Sequence, residues 1–257
     1  MSRVLTAEEL ERAMNLFPDI GTIKKIDDNT ILKVESYRLS EAATVKYIAE
    51  NTTIPVPKVY GFYKDEKTQK THLVMEYIDG DCLEDVWEDF DLEQKEDIIS
   101  QLKRILDELR SLEGTFIGCV YHTHCEDVLF SETETPRGPY SSEEEFSQGI
   151  IDTLLEKEAT AFPRLVCEMV KDILKGHKIV LTHGDFLPRN ILVKDGKVVA
   201  ISDWEMAGWY PEYWEYTKIM YRPPYLKSWF KDGMVNKLIK PYYAELAVLM
   251  QARQLIW

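Results

Sequence analysis

His183-Gly184-Asp185-Phe186-Leu187-Pro188-Arg189-Asn190, continued by Ile191-Leu192-Val193-Lys194, Asp195-Gly196 and Lys197-Val198-Val199-Ala200-Ile201-Ser202-Asp203, is the stretch that decides how this chain reads. Two β-branched runs around an Asp-Gly pair are the strongest short-range signal for a hairpin with a two-residue turn. With Lys194 and Lys197 closing the turn, the ladder sets Asn190 opposite Ile201, with Asp203 just beyond at the same open end. Diagonal neighbours in such a ladder lie about 7–8 Å apart, so one hard cation with short bonds to oxygen can touch both side chains. Asp185 sits on the loop feeding that end. Nothing in hairpin stability calls for two acids and an amide at its mouth, so the trio is read as a proton acceptor beside two cation ligands. Asp195-Gly196 is read as turn only, and His183 as a brace for the loop.

The spacing itself, His-x-Asp with Asn five positions after the Asp, is that of a kinase catalytic loop. There the Asp receives the proton of an attacking hydroxyl and the Asn holds Mg²⁺. In the first half, Thr30-Ile31-Leu32-Lys33-Val34 is a short apolar strand with one lysine, followed by Ser40 as N-cap of a helix that begins with Glu41. A lysine on a strand and a carboxylate on the next helix form the pair that positions nucleotide phosphates. Taken alone, Lys33 reads more readily as a solvated strand lysine; the second-half motif is what raises it. Ahead of that strand, Asp19-Ile20-Gly21-Thr22-Ile23-Lys24-Lys25 offers one glycine, Gly21, and no Gly-x-Gly-x-x-Gly.

On these residues, and on Ile201-Ser202-Asp203-Trp204-Glu205-Met206-Ala207-Gly208, the chain resembles the aminoglycoside phosphotransferase and choline-kinase-like small-molecule kinases, relatives of the protein kinases. The resemblance is closest to fungal members of that family and spans nearly the whole chain, thinly before residue 30 and after residue 220. It implies an α+β, bilobal, protein-kinase-like fold, with a nucleotide-binding lobe over residues 1–77 and a catalytic and substrate-binding lobe over 78–257. It implies ATP and Mg²⁺, with Asp185 as base, Asn190 and Asp203 on the metal, and Lys33, Glu41 and Gly21 at the phosphates. In Thr71-His72-Leu73-Val74-Met75-Glu76-Tyr77-Ile78 it implies a hinge, where Met75 lines the adenine pocket and the Glu76 carbonyl and Ile78 amide meet the base. A protein serine/threonine kinase is the competing reading, but Gly184 stands where many protein kinases carry Arg, Trp204-Glu205 replaces Phe-Gly, and no Ala-Pro-Glu follows. A kinase-like nucleotide binder without catalysis is a third; its usual mark, a missing base, lysine or metal ligand, is not seen.

The 257 residues, 45% hydrophobic, suit two lobes around a cleft. A net charge of −14 argues against nucleic acid as partner and is compatible with a cationic small-molecule acceptor, an aminosugar or amino alcohol. Glu205, Glu212 and Glu215 are candidates to meet its amine or hydroxyl. No signal-peptide core or membrane-length apolar stretch is present in the sequence, so a cytoplasmic enzyme is expected. Four scattered cysteines imply no disulfide framework. Cys119, His122, His124 and Cys125 cluster locally, but adjacent His124 and Cys125 point apart and no second ligand pair follows, so a loop near the substrate is expected rather than zinc. Apolar stripes at Ile98, Leu102, Ile105, Leu109 and Leu112, at Phe146, Ile150, Ile151, Leu154 and Leu155, and from Pro163 to Ile173 predict three core-facing helices.

Overall fold

The computed structural model describes residues 3–16, 22–35, 40–130, 133, 135–157, 160–221 and 228–256. The N-terminal part is an antiparallel sheet of β1 (Met14–Asn15), β2 (Ile23–Asp27), β3 (Thr30–Glu35), β4 (Val59–Lys64) and β5 (Thr71–Glu76), in the order β1-β2-β3-β5-β4. Short helix α1 (Ala7–Arg12) precedes it, held by a Thr6–Glu9 capping box, and α2 (Ser40–Asn51) lies between β3 and β4. The chain before α1 lies so close to β4 that a Cβ on Gly61 would sit 2.0 Å from the Arg3 carbonyl oxygen, which only glycine permits. Apolar clusters in this part are small: Leu5, Leu32 and Val74 on one side, Ala42, Leu73 and Met75 on the other.

After β5 the chain makes β6 (Asp81–Cys82), α3 (Leu83–Val86), the long α4 (Leu92–Ser111), α5 (Glu143–Lys157) and α6 (Ala161–Ile173). An Asp91–Gln94 capping box starts α4, and its buried stripe is Ile98, Ile99, Leu102, Leu106 and Leu109. The three helices expected from the apolar stripes are therefore present, although Leu106 takes the buried place assigned to Ile105 and Leu155 of the second stripe is exposed. Strands β7 (Ile179–Thr182), β8 (Ile191–Lys194), β9 (Lys197–Ile201) and β10 (Gly208–Pro211) follow, then α7 (Trp214–Ile219), α8 (Ser228–Lys231), α9 (Met234–Leu238) and α10 (Tyr243–Ile256). Phe146 forms the centre of this core, edge-on to Phe130, Tyr140, Tyr210 and Trp214 at centroid distances of 5.0–6.1 Å. The architecture is α+β and bilobal, a small sheet-rich lobe on a larger helical one.

The hairpin forms around Asp195 and Gly196, both with positive φ (49° and 73°), as a two-residue turn of this kind needs. Its register departs from the regular ladder. Lys194 pairs with Lys197 and Val193 with Val198, but Leu192 pairs with Ala200, so Val199 is an extra residue, a β-bulge. Ile191 rather than Asn190 therefore faces Ile201. Asn190 moves one step on to Ser202, whose N–H donates to the Asn190 carbonyl at 2.9 Å. The bulge brings Asn190 one residue from Asp203 in the pairing, instead of two.

Candidate active site

The catalytic-loop residues enter from β7 and leave through a 3₁₀ turn, Pro188–Asn190. His183 is fully buried, edge-on to Phe186 and tilted over Trp204. Its Nδ1 accepts the Asp185 N–H at 3.1 Å, so Nε2 carries the hydrogen donated to the Ser202 carbonyl at 3.0 Å. His183 thus ties the loop to the hairpin mouth. Glu215 of α7, also fully buried, accepts the N–H groups of His183 and Gly184 at 2.6 and 3.2 Å. Burial pushes its carboxyl above the usual range, against the pull of His183, Arg110 and those two N–H groups. Glu215 therefore braces the loop from below and is not exposed to an acceptor. Glu212 stands elsewhere too, its backbone bonded to Lys178 and Arg110.

Gly184 has φ +81°, and a Cβ there would lie 2.7 Å from the Met206 carbonyl oxygen. The loop passes too tightly over the turn after Asp203 for any side chain. Asp203 itself is left-handed (φ 64°, ψ 59°), a conformation Asp tolerates better than most residues, and it opens the 3₁₀ turn Trp204–Met206.

Asn190 is buried, and its Nδ2 donates to the Asp185 carbonyl at 2.9 Å and to Asp185 Oδ2 at 2.7 Å. Both partners are acceptors, which fixes the amide with nitrogen toward Asp185 and leaves its oxygen for a cation. Arg189 Nη2 reaches both carboxylate oxygens of Asp185, each at 2.6 Å.

Across the cleft, Lys33 on β3 places its Nζ 2.7 Å from Glu41 Oε2 on α2, 2.7 Å from Asp203 Oδ1 and 3.6 Å from Glu205 Oε2. Lys33 is 12% exposed and Glu41 3%. A strand lysine merely solvated would not sit like this. Ser40 is the first residue of α2 rather than its cap, and its hydroxyl reaches the Glu205 carbonyl at 3.5 Å. Ligand atoms of Glu41, Asp203 and Glu205 all lie within 4.8 Å of one another, the one such cluster of candidate ligands among the described residues. The cysteine–histidine cluster does not assemble: His122 lies tilted against Phe116, His124 pairs with Glu126, and Cys119 and Cys125 are buried free thiols.

Met75 is buried at the end of β5, and the Glu76 N–H goes to the Lys58 carbonyl at 2.9 Å. Tyr77 N–H bonds to Asn29 just before Ile78. Gly21 lies outside the described residues. Lys25 stands over the Tyr77 ring at 4.3 Å. Beside the catalytic loop, Leu187, Pro188 and Arg189 face Glu84, Trp87, Glu88, Trp229 and Phe230 across a recess. Arg189 is the residue that the sequence reading passed over. Its signal was present, four positions after Asp185, within one helical turn's reach.

Residues 29–247 match the model of the phosphotransferase enzyme family, APH. The chain belongs to that family. As a member of this phosphotransferase family it is a small-molecule kinase with a hydroxyl acceptor. Solved structures share its fold at low identity. Aminoglycoside phosphotransferase APH(4)-Ia is similar with a TM-score of 0.62 and 14% identity, over 97% of this chain and 90% of that one. ADP-bound APH(2'')-Ib gives 0.60 and 16%, over 98% and 86%. The streptomycin–ATP complex of APH(2'')-IIa gives 0.60 and 15%, over 98% and 89%. No curated protein matches the sequence. Among the described residues of this phosphotransferase no helix is long and apolar enough to cross a membrane.

Proposed function

We propose that this phosphotransferase moves the γ-phosphoryl group of ATP to a hydroxyl of an amine-bearing small molecule, with Asp185 as base. One observation carries the reading: Lys33 of the sheet-rich lobe is 2.7 Å from both Glu41 and Asp203, and Asp203 stands beside the Asn190–Asp185 pair at the hairpin mouth. A triphosphate laid across that junction meets Lys33 on one side and the base on the other. The acceptor oxygen bonds to phosphorus as the bond to the β,γ-bridging oxygen breaks. ADP leaves with that electron pair, and the hydroxyl proton passes to the Asp185 carboxylate.

The donor set fits a divalent ion. Asp185, Asp203, Glu41 and Glu205 outweigh Lys33 and Arg189 by two charges before any phosphate arrives, and hard oxygens are what Mg²⁺ takes. Asn190 and Asp203 would hold it, and when bound it neutralises charge developing on the phosphoryl oxygens. Lys33, set by Glu41, contacts the phosphates; Met75, the Glu76 carbonyl and the Ile78 amide hold the adenine. The lobe boundary is assigned after Tyr77. The recess with Glu84, Glu88 and Trp87 beside the loop, together with the charge of −14, supports a cationic acceptor. Related structures that hold ATP or ADP with streptomycin or hygromycin B support the same substrate class.

The test is a panel of aminoglycosides, amino alcohols and neutral alcohols assayed for ADP release, with Asp185→Asn as blank. Acceptor-dependent turnover is expected, and Asp185→Asn should cut it by about 10²–10⁴ while nucleotide still binds. Phosphorylation of generic peptides with no small-molecule acceptor would sink the reading.

A further inference from the structure

Arg189 is half-exposed, yet it spends a single nitrogen, Nη2, on both oxygens of Asp185. This is not the parallel two-nitrogen fork by which a guanidinium usually grips a carboxylate. Nη1 and Nε carry no hydrogen bond among the described residues, so most of the donor capacity of this side chain is unspent. Asp185, by contrast, is 12% exposed and crowded with donors, taking Nη2 on each oxygen and Asn190 Nδ2 on one. A base so engaged has little room for a hydroxyl proton.

The two cations of the site are placed differently. Lys33 is surrounded by Glu41, Asp203 and Glu205. Arg189 has one carboxylate partner and a long stem reaching it from the exposed side of the loop. A phosphoryl group arriving in line with Asp185 brings more negative charge to the guanidinium than Asp185 does. Phosphate oxygens also match the planar donor fork better than one shared nitrogen.

We propose that Arg189, paired here with Asp185, is a catalytic residue that moves its guanidinium onto the γ-phosphoryl oxygens of a bound triphosphate. The move uncovers the base at the moment its proton acceptance is needed. Arg189 forms and breaks no covalent bond; it balances charge on the group in transit. The inference rests on the phosphotransferase reading above.

The test compares Mg²⁺-loaded AMP-PNP with Mg²⁺-loaded ADP by calorimetry, on the whole chain and its Arg189→Ala and Arg189→Lys variants. Only AMP-PNP carries the γ group. Arg189→Ala should weaken AMP-PNP by about 10- to 100-fold, the worth of a charged hydrogen-bond pair, and leave ADP unchanged. Arg189→Lys should recover part of the loss, and basal ATP hydrolysis should fall in the same order. Equal affinities of wild type and Arg189→Ala for AMP-PNP, or equal losses for both nucleotides, would overturn the proposal and leave the phosphotransferase reading standing. If the wild-type chain bound neither nucleotide, both would fall.

Discussion

At the scale of single residues the site depends on backbone as much as on charge. Asp203 is held left-handed, where Asn is also tolerated and Ala is not. Asp203→Asn should therefore melt within a few degrees of wild type while losing Mg²⁺-dependent nucleotide binding. Asp203→Ala should lose both, with about 1–2 kcal/mol of stability gone. A calorimetric pair of melting curves, with and without Mg²⁺ and nucleotide, separates the two effects. Gly184 is stricter. Alanine there combines φ +81° with a 2.7 Å approach to the Met206 carbonyl oxygen, so the loop must shift and carry Asp185 with it. Gly184→Ala is expected to cost more than about 1 kcal/mol of stability in denaturant unfolding and to lose most turnover. That Asp185, Asn190, Asp203 and Lys33 gather at one junction was legible from their types and spacing taken together. The role of Glu215 was not: its nearness in sequence to Asp203 suggested a substrate contact, while its position at the start of α7 turns it inward beneath the loop.

At the scale of elements, α7 and the catalytic loop are joined through Glu215, and that joint has a pH signature. Its carboxyl titrates above the ordinary 4.5 in the folded chain because burial disfavours the charged form. The folded state then holds a proton that the unfolded state has released, so this group's contribution to stability is lost as pH climbs from about 4.5 through the raised value. Glu215→Gln removes the titration. The stability gap between wild type and variant should narrow over that interval in urea unfolding, and a gap that widened would contradict the assignment. The hairpin shows what pattern reading can and cannot reach. Asp195-Gly196 located the turn, and apolar residues recurring every three or four positions located α4 and α5, because local pattern decides those features. The bulge at Val199 left no mark in the sequence, since one more valine in a β-branched run is invisible to it. The contact of the Ser40 hydroxyl with the turn carrying Glu205 likewise joins distant segments and left no local mark.

At the scale of the molecule, the two lobes differ in how they are held. The helical lobe has one continuous aromatic-rich core, whereas the sheet rests on two small clusters and on ties such as Lys33–Asp203. Nucleotide bound across the junction should therefore stabilise the whole chain. At 100 times Kd the gain is about 2.7 kcal/mol, which for a chain of this size raises Tm by about 5–10 °C. Thermal melting with Mg²⁺ and ATP should show that rise, and chelation of the metal should abolish most of it. The overall α+β plan followed from the resemblance, and the strands of the N-terminal part and the helices after it agree with it. How the lobes meet was not, because the meeting point is made of side chains 170 positions apart.

The ammonium of Lys33 already occupies the gap among Glu41, Asp203 and Glu205. The protein thus carries an internal counterion in a seat built partly by Asp203, one of the two residues assigned to the divalent ion. A free ion finds that seat taken, whereas a triphosphate draws the ammonium toward itself and vacates it. Metal and nucleotide should accordingly enter as one unit rather than the free ion binding first.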